Sequence, residues 1–138
     1  MKIFILLARR NRLLFIKEND SYTLPYIEVK EKERIVTKIY KFMKEKFNIN
    51  VTLIIEHPWC LTFYNNIYKM LDFIPDFPSE VDSEYLAIPV TSVEDPKDSF
   101  WIPINETDNY KISNESLKIV SKLKELMGTE KVISEFCG

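Results

Sequence analysis

The charged residues best suited to chemistry lie in one stretch, between Leu24 and Val51. The part expected to be helical carries four lysines, at positions 38, 41, 44 and 46, with Glu33 and Glu45 interspersed. Carboxylates three or four residues apart on a helix share one face, where they can jointly hold a hard divalent cation such as magnesium. Lysines interspersed with glutamates are instead typical of a solvated helix face with supporting ion pairs. Both interpretations require this stretch to be helical.

An amphipathic pattern predicts that helix. Apolar residues recur at steps of three and four, with lysine and glutamate between them: Ile35, Ile39, Phe42, Met43 and Phe47. Pro25 and a loop rich in glutamate and lysine precede the helix, and Asn48, which tolerates a left-handed backbone, marks its end. Core packing is the expected role of Phe42 and Met43.

The stretch from Ile27 to Ile49 resembles the signature of the Nudix hydrolase family. That signature is a glycine, five residues, a glutamate, seven residues, Arg-Glu, an aliphatic residue, any residue, Glu-Glu, any residue, a glycine and an aliphatic residue. The corresponding positions here are Ile27, Glu33, Lys41, Phe42, Met43, Glu45, Lys46, Asn48 and Ile49. The frame is complete in length, but most of its chemistry is replaced.

The replacements imply a degenerate hydrolytic site. Phe42 stands where the family has a metal-binding glutamate, and Lys46 replaces the second residue of the Glu-Glu pair. Glu45 is then the only acid on that face. Lys46 places a positive charge where the family has a negatively charged metal ligand. Glu33 and Glu45 are the vestigial catalytic positions. No cofactor is expected, and if a metal ion binds, Glu45 is its expected ligand.

The resemblance also implies where a ligand would bind. In a Nudix-like fold, positions 41, 45 and 46 fall near the pocket floor, so Lys41 and Lys46 are candidate ligand-binding residues. Lys46 could contact a diphosphate directly in place of a metal, because lysine is a competent point-charge binder of phosphate.

Features outside the signature are similar to the family and predict its fold. Leu24 and Pro25 precede the signature where the family has Leu-Pro-Gly-Gly, and the segment at 100–106, FWIPINE, followed by a final helix, is similar to the family's Trp-containing segment and closing helix. The expected fold class is α/β, a Nudix-like α/β/α sandwich with a mixed β-sheet.

Length and composition limit the possible functions. A chain of 138 residues with 46% hydrophobic residues is expected to form a single domain over 1–138. It has only two glycines, Gly128 and Gly138, so no glycine-rich phosphate loop can be built. A formal net charge of −2 gives no global reason to expect nucleic acid as a partner.

Cysteine usage and the first residues indicate the compartment. Cys60 and Cys137 are far apart and lack metal-ligand spacing, which is typical of free thiols in a reducing cytoplasm. The apolar start is interrupted by Arg9 and Arg10 too early for a signal segment or a membrane span. A cytoplasmic location without a membrane partner is therefore expected.

Periodicity predicts the remaining elements. Strands are expected at 2–8, 13–17, 51–56 and 85–91, with two strand-like runs in 61–77 separated by Asn65-Asn66, and Pro89 suggests an edge or a bulge. Helices are expected from Ser113 or Asn114 to a stop at Gly128, followed by a short last helix after Thr129.

Several other residues have both a functional and a structural interpretation. Tyr64 and Trp59 are candidate ligand contacts, Tyr64 by stacking on a base, although aromatic residues in strands usually belong to the core. His57 and Cys60 have the spacing of a metal pair without a second pair to complete it. The basic run at 9–12 could meet a phosphate, although hairpin turns are commonly charged because they are solvated.

Three functional hypotheses follow. The first is a Nudix-like domain that does not hydrolyse its ligand but binds a nucleoside-diphosphate-type molecule or a protein partner. The second is an active pyrophosphohydrolase that uses magnesium held by Glu33 and Glu45, with acids recruited from the loop at 80–84 or from Asp95 and Asp98. The third is a subunit that assembles into a homo-oligomer through an edge strand or an aromatic surface.

Overall fold

A computed structural model of the protein describes residues 1–126. Its strands are β1 (Lys2–Arg9), β2 (Arg12–Glu18), β3 (Ser21–Thr23), β4 (Tyr26–Glu28), β5 (Thr52–Leu53), β6 (Cys60–Tyr64), β7 (Ile67–Leu71), β8 (Tyr85–Thr91) and β9 (Phe100–Pro103). Two α-helices, α1 (Ile35–Phe47) and α2 (Asn114–Leu126), and two 3₁₀ segments, Pro78–Glu80 and Ile104–Asn109, complete the described part.

The nine strands of the described region form one mixed sheet, in the order β3-β2-β1-β8-β6-β7. β4 pairs with β1, β5 with β8 and β9 with β2. β1 and β8 run parallel, while the other strand pairs are antiparallel. The expected α/β class with a mixed sheet is therefore confirmed.

Side-chain alternation along β1 divides the core into two layers. Ile3, Ile5 and Leu7 pack into a cluster with the apolar face of α1, whereas Phe4 and Leu6 pack into a second cluster with residues of α2. Successive side chains of a strand point to opposite faces of the sheet. The two helices therefore cover opposite faces, which gives an α/β/α sandwich.

Helix α1 follows the predicted pattern. Ile35, Ile39, Met43 and Phe47 are buried at steps of four residues. Asn48 adopts a left-handed conformation, with φ 57° and ψ 39°, and its backbone N–H donates to the carbonyl oxygen of Lys44 at 3.0 Å. This bond satisfies one of the carbonyl groups left free at the helix end, so the predicted stop is confirmed.

The hairpins β1–β2 and β6–β7 have two-residue turns in left-handed conformations. Arg10 and Asn11, with φ 52° and 63°, join β1 to β2, and Asn65 and Asn66, with φ 49° and 64°, join β6 to β7. Two consecutive positive φ values match the twist of an antiparallel pair. Asparagine is favoured at such positions, but arginine is not.

The strand predicted at 51–56 is wrong beyond Leu53. The structure has a two-residue strand, β5, and Ile55 is 86% exposed. β5 pairs only with the last residues of β8, while β6 pairs with the first residues of β8 on the same edge. The next residue of β8 along this edge is Pro89, which has no N–H to donate, and β6 occupies the edge from Ala87, so β5 ends after Leu53.

Of the two expectations for Pro89, a sheet edge or a bulge, the edge is wrong, because β8 lies inside the sheet between β1 and β6. Pro89 sits opposite Leu6 of β1. On the other side it falls between the pairing partners of β5 and β6, and neither of them pairs with it. Proline has no N–H to donate to a neighbouring strand, so an interior strand can contain it at a position that is unpaired on one side.

Helix α2 starts where it is expected, since the N–H of Leu117 donates to the carbonyl oxygen of Ser113 at 2.8 Å. The predicted stop at Gly128, the last helix and Cys137 lie outside the described residues. Within residues 1–126, neither α-helix combines the length and the apolar character needed to cross a membrane.

The left-handed cap of α1 gives a first testable prediction. Asn48→Gly should keep or slightly raise stability, because glycine adopts this conformation without steric cost, whereas Asn48→Val should lower the free energy of unfolding by about 1–2 kcal/mol. Urea denaturation of both variants measures the difference. Equal stability of the two variants would contradict the capping role of this residue.

Candidate functional site

A cavity of about 360 Å³ lies beside α1, where the resemblance places the pocket. Strand β4 and the exposed face of α1 form its walls, with Tyr26, Ile27, Glu28, Lys38, Lys41, Phe42 and Glu45 as lining residues. Ile27 reaches the cavity because β4 is anchored to β1, with Ile27 directly opposite Ile3. We call this the α1 cavity.

Phe42 closes the α1 cavity with a hydrocarbon surface. Its half-buried ring packs edge-on against Phe47, with centroids 6.1 Å apart and planes at 86°. Such an edge-to-face pair is a favourable packing geometry. The position that carries a glutamate in the Nudix signature therefore offers no oxygen ligand here.

Two acids remain in the α1 cavity, fewer than the Nudix signature supplies. Glu28 and Glu45 are its two carboxylates, and both are exposed. Within residues 1–126, no group of three or more His, Cys, Asp or Glu side chains is arranged to hold a metal ion. Magnesium is usually held by one or two carboxylates together with waters and substrate phosphates, so Glu28 and Glu45 are the oxygen ligands that this cavity could offer it.

Glu33 orders the loop before α1 and is not among the residues that line the α1 cavity. Its carboxylate accepts a hydrogen bond from the backbone N–H of Lys30 at 2.8 Å and forms an ion pair with Lys38 at 3.1 Å. The Lys30 N–H first, and then Lys38, favour the charged form and lower the pKa of Glu33. The first glutamate of the signature therefore has a structural role.

The two lysines of the α1 cavity differ in their availability. Lys38 is held by Glu33 and by the carbonyl oxygen of Glu28, to which its ammonium donates at 3.0 Å. Lys41 is exposed and makes no hydrogen bond or ion pair with any residue in the described part of the chain. Lys41 is thus the cation of this cavity that is free to meet an anionic ligand.

Lys46 lies elsewhere on the helix surface. At 3.6 residues per turn it is about 140° around the helix axis from Lys41. Lys46 is exposed, and it is not among the residues that line the α1 cavity. The structure therefore brings Lys41 and Glu45 together and leaves Lys46 apart, and direct diphosphate contact by Lys46 stays a prediction.

Tyr64 lines a different cavity, of about 380 Å³, between the β6–β7 hairpin and α2. Its other lining residues include Phe63, Tyr68, Tyr85, Lys118 and Lys122. Phe63 and Tyr85 stack with centroids 4.7 Å apart and belong to the core cluster on the α2 side of the sheet. The predicted ligand residues Lys41 and Tyr64 therefore line different cavities.

Trp59 and the HPWC segment have structural positions. Trp59 is fully buried in the core cluster on the α2 side, so its ring has no surface on which a ligand could bind. His57 is exposed, whereas Cys60 is buried and its Sγ lies 3.4 Å from the carbonyl oxygen of Phe73, to which it donates. Burial raises the pKa of the Cys60 thiol to about 12, so this thiol stays protonated at neutral pH.

The acids that the enzyme hypothesis would recruit do not line the α1 cavity. No acidic residue of the loop at 80–84 is among its lining residues, and Asp95 and Asp98 are absent from them as well. Asp95 forms an ion pair with Arg9 at 3.1 Å. The sequence interpretation missed Glu28 and Tyr26 as lining residues. The signal was their place on either side of Ile27, which matches the first residue of the signature.

Solved structures share this fold at low sequence identity. A structure from Chromobacterium violaceum, described as a nudix hydrolase family member, is similar with a TM-score of 0.58 and 13% identity over 94% of this chain and 79% of that one. A bifunctional NMN adenylyltransferase/ADP ribose pyrophosphatase from Francisella tularensis, complexed with AMP and a manganese ion, is similar with a TM-score of 0.57 and 17% identity over 90% of this chain.

The chain spans only part of some of these proteins. It covers 40% of the Francisella protein and 37% of a Sinorhizobium meliloti 1021 protein described as an oxidoreductase, to which it is 12% identical with a TM-score of 0.56. No protein-family model and no curated protein sequence matches the chain. The structural neighbours show a Nudix-like fold.

The ordering role of Glu33 gives a prediction on the pH dependence of stability. Because folding lowers the pKa of Glu33, its stabilising effect is present above the ordinary value of 4.5 and is lost as the pH falls through the folded-state value. Glu33→Gln should therefore be less stable than the parent protein at neutral pH, and this difference should shrink in acid.

Urea denaturation at neutral pH and at about pH 3 measures this difference. Glu31→Gln is the matched control, because Glu31 is an exposed glutamate of the same loop. A stability difference for Glu33→Gln that is the same at both pH values would show that the charge of Glu33 is not what orders the loop.

Proposed function

We propose that this domain binds a nucleoside-diphosphate-type ligand in the α1 cavity without hydrolysing it. The observation that carries the proposal is the composition of that cavity: a free lysine, Lys41, beside the ring of Phe42, at two positions where the family signature has arginine and glutamate. Such a lining can hold an anion and an apolar group, and Glu45 is the only carboxylate of the signature that it keeps, so we infer no metal-activated water there.

The polar lining favours a metal-free mode of binding. Lys41 supplies a point charge for a phosphate oxygen, and a charge-assisted hydrogen bond of this kind contributes about 1.5–3 kcal/mol. Glu28 and Glu45 line the same cavity, and their negative charges would repel a second phosphate of the ligand. The ligand would therefore place one phosphate at Lys41 and its less charged part against Tyr26 and Phe42.

Two further observations support a nucleotide-type ligand inside the cell. The Francisella protein with the same fold is named for activity on ADP ribose and was solved with AMP. Cys60 is a free thiol, which is in keeping with the reducing cytoplasm that we propose as the location.

Ligand binding tests the proposal. We expect ADP or ADP-ribose to raise the melting temperature both with magnesium and with a chelator, because a ligand that binds only the folded state stabilises it by mass action. Lys41→Glu should weaken binding at least about tenfold in isothermal titration calorimetry, as expected for the loss of one charge-assisted hydrogen bond.

Lys44→Glu is the matched control, because Lys44 is an exposed lysine of the same helix outside the cavity lining. Lys46→Glu in the same series tests direct diphosphate contact by Lys46. Stabilisation that needs magnesium, together with phosphorus NMR showing cleavage of ADP-ribose that Glu45→Ala abolishes, would contradict the proposal and establish the enzyme hypothesis.

The edge of the sheet supports self-association as a second candidate function. Within residues 1–126, β7 pairs only with β6 and ends the sheet, and its first residue, Ile67, is 63% exposed. An exposed edge strand with an apolar side chain is a template for pairing with another chain. Ile67 and the neighbouring Tyr64 would then face a second copy of the protein.

Light scattering over a range of concentrations tests this second candidate. We expect a concentration-dependent increase in mass that Ile67→Lys removes, because a charged residue on an edge strand disfavours pairing. Ile55→Lys is the control, since Ile55 is an exposed isoleucine away from β7. A monomer at all concentrations would exclude this candidate.

A further inference from the structure

A cluster of arginines surrounds the hairpin that joins β1 to β2. Arg9, Arg10 and Arg12, together with Asp95 and Trp101, line a cavity of about 420 Å³. Three guanidinium groups face one carboxylate, so this lining has a net positive charge in a protein whose formal net charge is −2. We call this group of residues the arginine cluster.

Arg9 is held in place by its neighbours. Its Nη1 donates to Asp95 at 3.1 Å, and its Nη2 donates to the carbonyl oxygens of Ser92 and Glu94 at 2.8 and 2.7 Å. Its guanidinium carbon also lies 5.1 Å from the ring centroid of Trp101. Arg9 therefore ties the hairpin to the loop before β9 and gives the cavity a fixed wall.

Arg10 and Arg12 have no such role. Both are exposed, and neither makes a hydrogen bond or an ion pair with another residue of the described region. Guanidinium groups bind phosphate through paired N–H donors in a planar arrangement. Two free guanidinium groups beside a fixed one thus offer paired donors of the kind that suits phosphate oxygens.

The turn itself does not explain the presence of Arg10. Its backbone is left-handed, with φ 52°, in the same kind of turn that Asn65 and Asn66 form in the other hairpin. Glycine or asparagine would adopt this conformation with less strain than arginine does. The chain therefore keeps a guanidinium at a position where the backbone disfavours it, which indicates a role for the side chain.

The arginine cluster lies on the same side of the sheet as α1. Trp101 packs against the core cluster that contains the buried residues of α1, and Phe42 packs against the same cluster. The loop between β8 and β9 is also tied to the end of α1, since the N–H of Lys97 donates to the carbonyl oxygen of Phe47 at 3.0 Å. Trp101 gives this side an aromatic ring next to the cations.

We propose that the arginine cluster binds the phosphate groups of a small nucleotide-type ligand without a metal ion. This inference rests on the proposed function for the class of ligand, and it adds a second phosphate site at the opposite end of β1 from the α1 cavity. Two free arginines suit a short run of phosphates. A long nucleic acid would extend beyond the cluster over a protein whose net charge is negative.

Arg10→Gly separates a binding role from a structural role. It removes a guanidinium and relieves the left-handed arginine, so we expect a higher melting temperature together with at least about tenfold weaker binding of sodium pyrophosphate and ADP in chelator-containing buffer. Arg12→Gln should weaken binding similarly. Asn65→Gly, the same kind of change in the other hairpin, should leave binding unchanged.

Calorimetry gives the affinities, and the fluorescence of Trp101 reports the place of binding, because Trp59 is fully buried in the core. The expected result is a change in emission on adding pyrophosphate that Trp101→Phe removes. Equal affinity of Arg10→Gly and the parent protein would overturn the inference, and so would the absence of pyrophosphate and ADP binding. Tighter binding of a single-stranded oligonucleotide than of ADP would overturn it in favour of nucleic acid.

The two proposals can fail separately. If pyrophosphate binds through Arg10 and Arg12 but no nucleotide binds, the arginine cluster is a phosphate site and the proposed function is wrong. If ADP binding responds to Lys41→Glu but not to Arg10→Gly, the proposed function stands and the inference about the cluster is wrong.

Discussion

The structure depends on the parallel pairing of β1 with β8. Six consecutive residue pairs, from Lys2 with Tyr85 to Leu7 with Val90, join the two strands at the centre of the sheet. Ile3, Phe4, Ile5, Leu6 and Leu7 are each no more than 1% exposed. Burying one such side chain contributes about 1.5–3 kcal/mol, so both faces of this strand need cover. That requirement places α1 on one face and α2 on the other.

This arrangement separates the two sides of the molecule chemically. The α1 side has Lys41, the acids Glu28 and Glu45, and the ring of Trp101 beside arginines. The α2 side has a cavity of aromatic rings in which two lysines face two glutamates. Of the α1 cavity and the cavity at the β1–β2 hairpin, only the second has an excess of positive charge, because the α1 cavity has equal numbers of lysines and glutamates.

Much of the fold could be predicted because its signals are local. The steps of three and four residues in α1, the left-handed Asn48 and the paired asparagines of the β6–β7 turn each act within a few residues. The short β5 and the interior position of Pro89 could not be predicted, because both depend on which strands share an edge of β8. Only long-range strand pairing decides how such an edge is divided.

The candidate site shows the same division. By itself, the sequence determined that Phe42 and Lys46 replace two signature carboxylates, since spacing within a helix is a property of the chain alone. Only the tertiary structure decided that Trp59 is buried, that Tyr64 lines a cavity with residues of α2, and that Arg9, Arg12 and Trp101 line one cavity. These residues come from different strands, and their meeting depends on the register and order of the sheet, which no local pattern encodes.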